Sequence, residues 1–216
     1  MITGYFGVPG CGKSTFLSQI AIKELRKIKQ GKSAYKHVLT NFPVHGCEIV
    51  NIHDLGRYDI QNSLILFDEI SMDADSRDYK NFSKSLRDFF ILHRHACNDI
   101  VYFCQDYEKV DKVIRNLTFD LWYLRKPVFP FLNRFSIAKR IYRNININEY
   151  TSELSLGYRF AKLSEIIFSS SKKICYRPLY YKYFDSFDLL QLSGLPEFQY
   201  KSWDEESAPS VPTRAS

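Results

Sequence analysis

A glycine-rich segment near the start of the chain has the residue types and spacing that bind phosphate groups. Residues 5–16 read YFGVPGCGKSTF, and Gly7 to Ser14 match the pattern G-x-x-x-x-G-K-[ST]. Backbone N–H groups of such a loop converge on phosphate oxygens, and a side chain at Gly10 or Gly12 would obstruct them. The segment therefore predicts ATP as a ligand. The predicted nucleotide-binding residues are Gly7, Val8, Pro9, Gly10, Cys11, Gly12, Lys13, Ser14 and Thr15.

Four side chains have separate tasks in the predicted nucleotide chemistry. Lys13 carries a mobile positive charge that can reach the β- and γ-phosphates, and the Ser14 hydroxyl can ligate Mg²⁺. Asp68 and Glu69 directly follow the apolar run LILF. A strand that ends in a carboxylate beside the metal is the second element of such sites. Ser14 and Asp68 are thus the predicted Mg²⁺ residues, and Glu69 is the predicted catalytic group that orients or deprotonates the attacking water.

A glutamine completes the predicted catalytic group. Gln105 ends the next apolar run, DIVYFC, so it can reach the γ-phosphate or the water from a neighbouring strand. The loop, the carboxylate pair and this glutamine resemble the additional-strand, catalytic-glutamate class of P-loop ATPases, in which water attacks the phosphate. The alternative interpretation of Asp68 and Glu69 is a strand end that meets the solvent.

Strands and helices alternate along residues 1–126 as a parallel sheet requires. The predicted strands are MITGYFGV, KHVLTNFP, CEIVNI, NSLILFDEIS, NDIVYFCQ and TFDLWYLR. The predicted helices are KSTFLSQIAIKELRKIKQG, NFSKSLRDFFILHRHA and VDKVIRN. The glycine-rich loop would then lie at a helix N-terminus, whose dipole favours anions. We therefore expect an α/β fold of the P-loop NTPase type with a mainly parallel sheet.

The chain changes character near Lys126 and Pro127. Beyond them it is aromatic and basic, and three segments are predicted to be strands of an added antiparallel sheet: FSIAKRIYRNINI, GYRFAKLSEIIF and KKICYRPLYYKYF. The final stretch, SWDEESAPSVPTRAS, has the composition of a disordered tail. The predicted domains are a P-loop ATPase core at 1–126, a β-rich basic appendage at 127–190 and a disordered tail at 191–216.

Positive charge is concentrated between Arg125 and Lys182, where only Glu149, Glu153 and Glu165 oppose a larger set of cations. These cations are Arg125, Lys126, Arg134, Lys139, Arg140, Arg143, Arg159, Lys162, Lys172, Lys173, Arg177 and Lys182. The interleaved tyrosines and phenylalanines suit a groove that follows the phosphates and stacks the bases of single-stranded DNA. The same charges suit peripheral contact with an anionic membrane surface. A solvated sheet face above core aromatics is the third interpretation.

The bulk composition limits the cellular setting. The formal net charge of +6 is compatible with a nucleic acid or membrane partner. The five cysteines have no paired spacing and the sequence does not start with a signal peptide, so we expect a reducing, cytoplasmic compartment. No apolar stretch approaches the roughly 18 residues of a membrane-spanning helix.

Two further groups of side chains have alternative interpretations. His93, His95 and Cys97 invite a metal, but only His93 and Cys97 share a face of the predicted helix, which favours a structural or coupling role. Several arginines in the second half of the core suit a finger that enters the site of a neighbouring subunit in a homo-oligomer. Ordinary surface charge is the alternative. These arginines are Arg77, Arg87, Arg94 and Arg115.

The chain resembles the zonular occludens toxin (Zot) family, which includes the gene I proteins of filamentous phages. The resemblance rests on GVPGCGKST, LILFDEIS, HRHACNDIVYFCQ and YYKYFDSFD, and it covers roughly residues 1–190. It implies an ATPase at the cytoplasmic face of the host inner membrane that drives single-stranded phage DNA out as coat protein is added. Its partners would be phage coat and assembly proteins. Family members usually continue into a membrane span, which this sequence lacks, so a membrane-embedded partner is expected to hold the ATPase.

Several classes of function compete on this pattern. An assembly and export motor couples ATP hydrolysis to movement, and a DNA-translocating or packaging ATPase shares that chemistry. A small-molecule kinase uses the same loop but transfers phosphate to a bound acceptor, whereas Glu69 and Gln105 both favour attack by water. A nucleotide-gated binding module without turnover would not need Glu69.

Overall fold

The computed structural model describes residues 1–70, 84–127, 132–147, 154–161 and 171–184. Strands and α-helices in these ranges are, in chain order, β1 (Ile2–Phe6), α1 (Lys13–Lys29), β2 (His37–Thr40), β3 (Glu48–Ile49), β4 (Ser63–Phe67), α2 (Lys84–Leu92), β5 (Asp99–Cys104), α3 (Lys112–Leu117), β6 (Asp120–Arg125), β7 (Phe135–Ile147), β8 (Leu154–Phe160) and β9 (Lys172–Tyr176). The predicted α/β alternation is therefore confirmed.

The first six strands form a parallel sheet in the order β3-β2-β4-β5-β1-β6. Strand β5 lies between β4 and β1, which is the additional-strand arrangement that the sequence predicts. Because the strands are parallel, the carboxyl ends of β1, β4 and β5 meet at one edge of the sheet. Ligands of open α/β sheets bind at that edge.

Helix α1 covers one face of the sheet with an apolar side that the sequence encodes at helical spacing. Phe16, Leu17 and Ala21 are fully buried in a cluster with Tyr5 and Trp122. Burial of each large apolar side chain contributes about 1.5–3 kcal/mol, so this packing fixes the start of the helix beneath β1. The first turn of α1 thus has little freedom to move relative to the sheet.

Helices α2 and α3 cover the opposite face. Leu86 and Phe90 of α2 and Ile114 of α3 pack in a second cluster with Phe67 and Tyr102. Together with α1 they enclose the parallel strands in a three-layer arrangement, which explains why β4 reads SLILF with every residue buried.

Helix α2 is shorter than predicted, because it ends at Leu92 before the HRHA segment. The His93 ring donates from Nδ1 to the carbonyl of Phe90 at 2.7 Å, and the Asn98 N–H donates to the His93 carbonyl at 2.9 Å. Cys97 has a left-handed backbone, with φ 55°. The prediction that His93 and Cys97 share a helical face is therefore wrong, since both lie in the turn that leads to β5.

The predicted antiparallel strands are present in part, and they extend the parallel sheet instead of forming a separate one. The segment predicted at 172–184 is a strand only to Tyr176 and continues as two 3₁₀ turns, and residues 162–168 of the segment before it lie outside the described residues. Strand β7 pairs with β6 on one side, and on the other side it pairs first with β9 and then with β8. The reason is that β6 leaves an open edge, which β7 satisfies with backbone hydrogen bonds. The division at residue 126 and the tail at 191–216 stay predictions, and the tail lies outside the described residues.

Candidate nucleotide-binding site

The glycine-rich loop connects β1 to α1 at the carboxyl edge of the sheet. The Gly7 N–H donates to the Cys104 carbonyl of β5 at 3.2 Å, and the Phe16 N–H donates to the Gly12 carbonyl at 2.9 Å as the first bond of the helix. Val8 and Pro9 are exposed, whereas Cys11 is buried. The loop therefore lies at a helix N-terminus with its tip open to solvent, as phosphate binding requires.

Gly12, the last glycine of the loop, is required by both backbone conformation and packing. Gly12 has φ 94°, in the left-handed region that favours glycine. A Cβ at this position would lie 2.2 Å from Ser136 Oγ of β7, and that hydroxyl donates to the Cys11 carbonyl at 2.7 Å. Strand β7 thus supports the underside of the loop from 125 residues away. No local signal in the sequence indicates this contact.

The lysine and serine of the loop are oriented by neighbouring groups. Lys13 Nζ donates to the Gly7 carbonyl at 3.0 Å, so the ammonium group spans the loop. Ser14 Oγ donates to Asp68 Oδ2 at 2.5 Å. Burial raises the pKa of Asp68, while the Ser14 hydrogen bond and the Lys13 charge lower it. A hydroxyl and a carboxylate oxygen side by side fit the oxygen ligands that Mg²⁺ prefers.

Asn41 is a positioning residue that the sequence analysis missed. It follows β2, the strand next to β4, and its side-chain amide forms two hydrogen bonds with the backbone of Asp68. Nδ2 donates to the Asp68 carbonyl at 2.8 Å, and Oδ1 accepts from the Asp68 N–H at 2.7 Å. The position of Asn41 at the end of a predicted strand could have identified it, because neighbouring parallel strands end at the same edge.

Glu69 and Gln105 are brought together at the ends of β4 and β5. Glu69 has a left-handed backbone, with φ 48°, and its Oε1 accepts the Gln105 backbone N–H at 3.1 Å. A non-glycine residue in this conformation is uncommon and is found preferentially at functional sites. The Gln105 residue itself is exposed. The catalytic roles of both residues stay predictions.

The remaining candidate residues are distributed away from the loop. Arg87 lies on α2, Arg94 in the turn after it and Arg115 on α3, while Arg77 lies outside the described residues. In the part of the chain that the structure describes, no hydrogen bond joins these arginines to the loop, and no group of three or more His, Cys, Asp and Glu side chains could hold a metal ion. A finger in trans therefore stays a prediction.

We expect Asn41→Ala to weaken Mg²⁺-dependent ATP binding about tenfold, because two hydrogen bonds that fix the Asp68 backbone are lost at about 1 kcal/mol each or less. Fluorescence titration with and without Mg²⁺ measures the effect. Asn51→Ala is the matched control, since Asn51 caps a short 3₁₀ turn elsewhere. An Asn41→Ala protein whose Mg²⁺ dependence equals that of the wild type would contradict this role.

A phosphate-binding loop between β1 and α1, beside a carboxylate-tipped strand of a parallel sheet, defines the class of P-loop NTPases. The family model of the zonular occludens toxin (Zot) matches residues 1–129. The chain belongs to the Zot family. No curated protein matches the chain.

Solved structures with a similar fold include the N-terminal domain of zonular occludens toxin from Neisseria meningitidis. It has 15% identity and a TM-score of 0.56, with 85% of this chain and 98% of that chain covered. The genome packaging NTPase B204 from Sulfolobus turreted icosahedral virus 2, in complex with AMPPCP, has 9% identity and a TM-score of 0.45 over 72% and 95% of the two chains. The flagellar accessory protein FlaH from Methanocaldococcus jannaschii has 12% identity and a TM-score of 0.43 over 74% and 89%.

Proposed function

We propose that the chain is an ATP-hydrolysing motor that drives the assembly and export of filamentous phage at the cytoplasmic face of the host inner membrane. Membership of the Zot family supports the role in phage assembly and export. The observation that supports ATP hydrolysis is the position of Glu69. Its carboxylate is held by the Gln105 N–H at 3.1 Å, directly after the Asp68 that contacts Ser14.

Each residue of the site has one task in this proposal. Lys13, held across the loop by the Gly7 carbonyl, binds the terminal phosphates. Ser14 and Asp68 would hold Mg²⁺, which supplies charge neutralisation at the phosphate oxygens when bound. Glu69 orients the attacking water toward the phosphorus and accepts a proton from that water. Its carboxylate can do so because the contact with a backbone N–H holds it in one direction. Gln105 holds that carboxylate through its main chain.

The alternative functions need features that the described residues do not favour. A kinase would place the hydroxyl of a bound acceptor where the Glu69 carboxylate now lies, so Glu69 would obstruct the acceptor. A nucleotide-gated module without turnover would not need the Glu69 carboxylate, nor the uncommon left-handed backbone of Glu69 with φ 48°. A DNA-translocating or packaging ATPase shares the site and differs in its cargo, so it stays the second candidate.

The partners belong to the same proposal. Phage coat and assembly proteins, a membrane-embedded partner, single-stranded DNA and further copies of the chain are the proposed set. No helix in the described ranges is long and apolar enough to cross a membrane. We propose that the chain contacts the membrane through a partner or through a basic surface.

Two of the cations on β7 have structural partners and are poor candidates for a gripping surface. Arg140 forms a salt bridge with Asp120, and its guanidinium lies over the rings of Trp122 and Tyr142 at 6.0 and 5.3 Å. Arg143 donates to the Arg115 carbonyl at 2.6 Å, near the end of α3. Removing either side chain would disturb packing as well as charge.

The face of β7 that lies opposite Arg140, and that Lys139 shares with Arg143, combines positive charge with exposed aromatic rings. Lys139 faces Lys172 across the β7–β9 pair, and burial together with the charges of Arg125 and Lys172 lowers the pKa of Lys139. Phe160 is 53% exposed and its ring lies 6.1 Å from that of Tyr123. Aromatic rings beside lysines suit the bases and phosphates of a single strand, because bases can stack on the rings while the lysines contact the phosphates. We call Lys139, Lys172, Tyr123 and Phe160 the aromatic–basic face.

We expect the double variant Lys139→Ala/Lys172→Ala to bind single-stranded DNA with a shallower salt dependence, by about 0.7 in log–log slope for each lost phosphate contact. Basal ATP hydrolysis should be unchanged, because neither lysine contacts the loop. Oligonucleotide titrations from low to high salt measure the slope. Lys32→Ala/Lys36→Ala, which removes two exposed lysines between α1 and β2, is the matched control.

The proposed function is tested by phosphate release without an added acceptor and by release of phage particles from host cells. Hydrolysis in purified protein together with loss of particle release in the Lys139/Lys172 variant supports the motor. Sedimentation of the wild type, but not of the variant, with anionic vesicles would assign the aromatic–basic face to the membrane instead of DNA. Binding of ATP without any phosphate release would contradict the motor.

A further inference from the structure

Lys126 lies against the phosphate-binding loop although it belongs to neither nucleotide motif. It directly follows β6, which is parallel to β1, so it emerges at the same edge of the sheet as the loop. Its Nζ would lie 3.2 Å from a Cβ built on Gly10. Lys126 is exposed, and its side chain has no hydrogen bond or salt bridge to any residue in the described ranges.

Gly10 occupies the middle of the loop, where backbone N–H groups face a bound phosphate. It has φ 72°, a conformation that glycine adopts freely and that exposes the backbone on the solvent side. An ammonium group beside that backbone has nothing to neutralise it in the described part of the chain. Because an unpaired cation attracts a polyanion in proportion to the charge of the polyanion, its position suits the phosphates of a nucleotide.

A second cation near the loop has a different environment. Arg177 Nε would lie 3.2 Å from a Cβ on Gly12, on the side where Ser136 packs against the loop. Its Nη1 donates to the Asn133 carbonyl at 3.4 Å, and its guanidinium lies over the Tyr181 ring at 5.8 Å. Arg177 therefore supports the underside of the loop, whereas Lys126 stands at the open tip.

We propose that Lys126 binds the phosphate groups of the nucleotide within the same subunit, as a second cation beside Lys13. The inference rests on nucleotide binding by the loop and goes beyond the proposed function in adding a binding residue from β6. It also reduces the need for an arginine from a neighbouring subunit, since Lys126 neutralises part of the phosphate charge within one subunit.

The experiment compares Lys126→Ala, Lys126→Arg and the control Lys36→Ala, an exposed lysine before β2. Dissociation constants for ATP and ADP, each with Mg²⁺, are measured by calorimetry over a range of salt concentrations. We expect Lys126→Ala to weaken ATP about tenfold and ADP less, with a smaller salt dependence, because one charge contact is lost. Lys126→Arg should retain most of the affinity, and Lys36→Ala all of it.

The outcomes separate this inference from the proposed function. Equal ATP affinity and equal salt dependence in Lys126→Ala and the wild type would overturn the role of Lys126, even if ATP hydrolysis is normal. A weaker ATP complex in Lys126→Ala, in a wild-type protein that binds but does not hydrolyse ATP, would support Lys126 and contradict the motor. Equal losses for ATP and ADP with an unchanged salt dependence would indicate a shape effect and also overturn the proposal.

Discussion

Lys13→Ala is expected to reduce ATP affinity about a hundredfold or more while the fold is retained. Lys13 is held across the loop by the Gly7 carbonyl at 3.0 Å, and it supplies the central positive charge of the site. Loss of charge-assisted hydrogen bonds at about 1.5–3 kcal/mol corresponds to a factor of about ten to above a hundred. The loss is at the upper end here because the phosphates are partly removed from water in the loop.

Calorimetric titration with ATP and Mg²⁺ measures the effect, and circular dichroism verifies the fold. Lys29→Ala is the matched control, since it removes an exposed lysine from the last turn of the same helix. Near-normal ATP affinity in a folded Lys13→Ala protein would mean that the loop does not bind phosphate in the expected way. Nucleotide binding would then need another site.

Glu69→Gln is expected to slow ATP turnover about a hundredfold or more while ATP still binds. Glutamine keeps the shape of the side chain, and its Oε1 can still accept the Gln105 N–H that Glu69 now accepts at 3.1 Å. It cannot take a proton from water, and general-base catalysis contributes roughly 10²–10⁴-fold. Single-turnover phosphate release separates this chemical step from binding.

Asp68→Asn is the informative comparison, because Asp68 contacts Ser14 and not Gln105. That variant should weaken Mg²⁺ dependence and ATP affinity together. Glu108→Gln, an exposed carboxylate just beyond β5, controls for the loss of one negative charge. Wild-type turnover in Glu69→Gln would assign the base to another group and reopen the kinase interpretation.

The order of local elements was readable from the sequence because local patterns encode it. The apolar runs of β4 and β5 are fully or almost fully buried, as parallel strands beneath helices must be. The loop pattern and the strand–helix junction around it depend on residues within one short segment. Membership of the Zot family and the P-loop NTPase fold, both confirmed, follow from the same segments.

The end of α2 was predicted wrongly because helical periodicity cannot register a competing tertiary contact. Asn98 ties the turn to the start of β4, where its Oδ1 accepts the Ser63 N–H at 2.9 Å and its Nδ2 donates to the Ile60 carbonyl at 2.6 Å. Those bonds favour a turn at His93 over another helical turn. The helical spacing of apolar residues that predicted a helix through HRHA carries no information about the hydrogen bonds of Asn98.

By itself, the sequence determined the phosphate loop, the carboxylate-tipped strand and the parallel α/β core, because each depends on neighbours within a few residues. Only the tertiary structure decided which distant groups complete the site: Asn41 on the Asp68 backbone, Ser136 beneath Gly12 and Lys126 beside Gly10. These contacts arise because parallel neighbours end at one edge and β7 closes the open side of β6. Strand order is set by long-range pairing, which residue types along one segment do not specify.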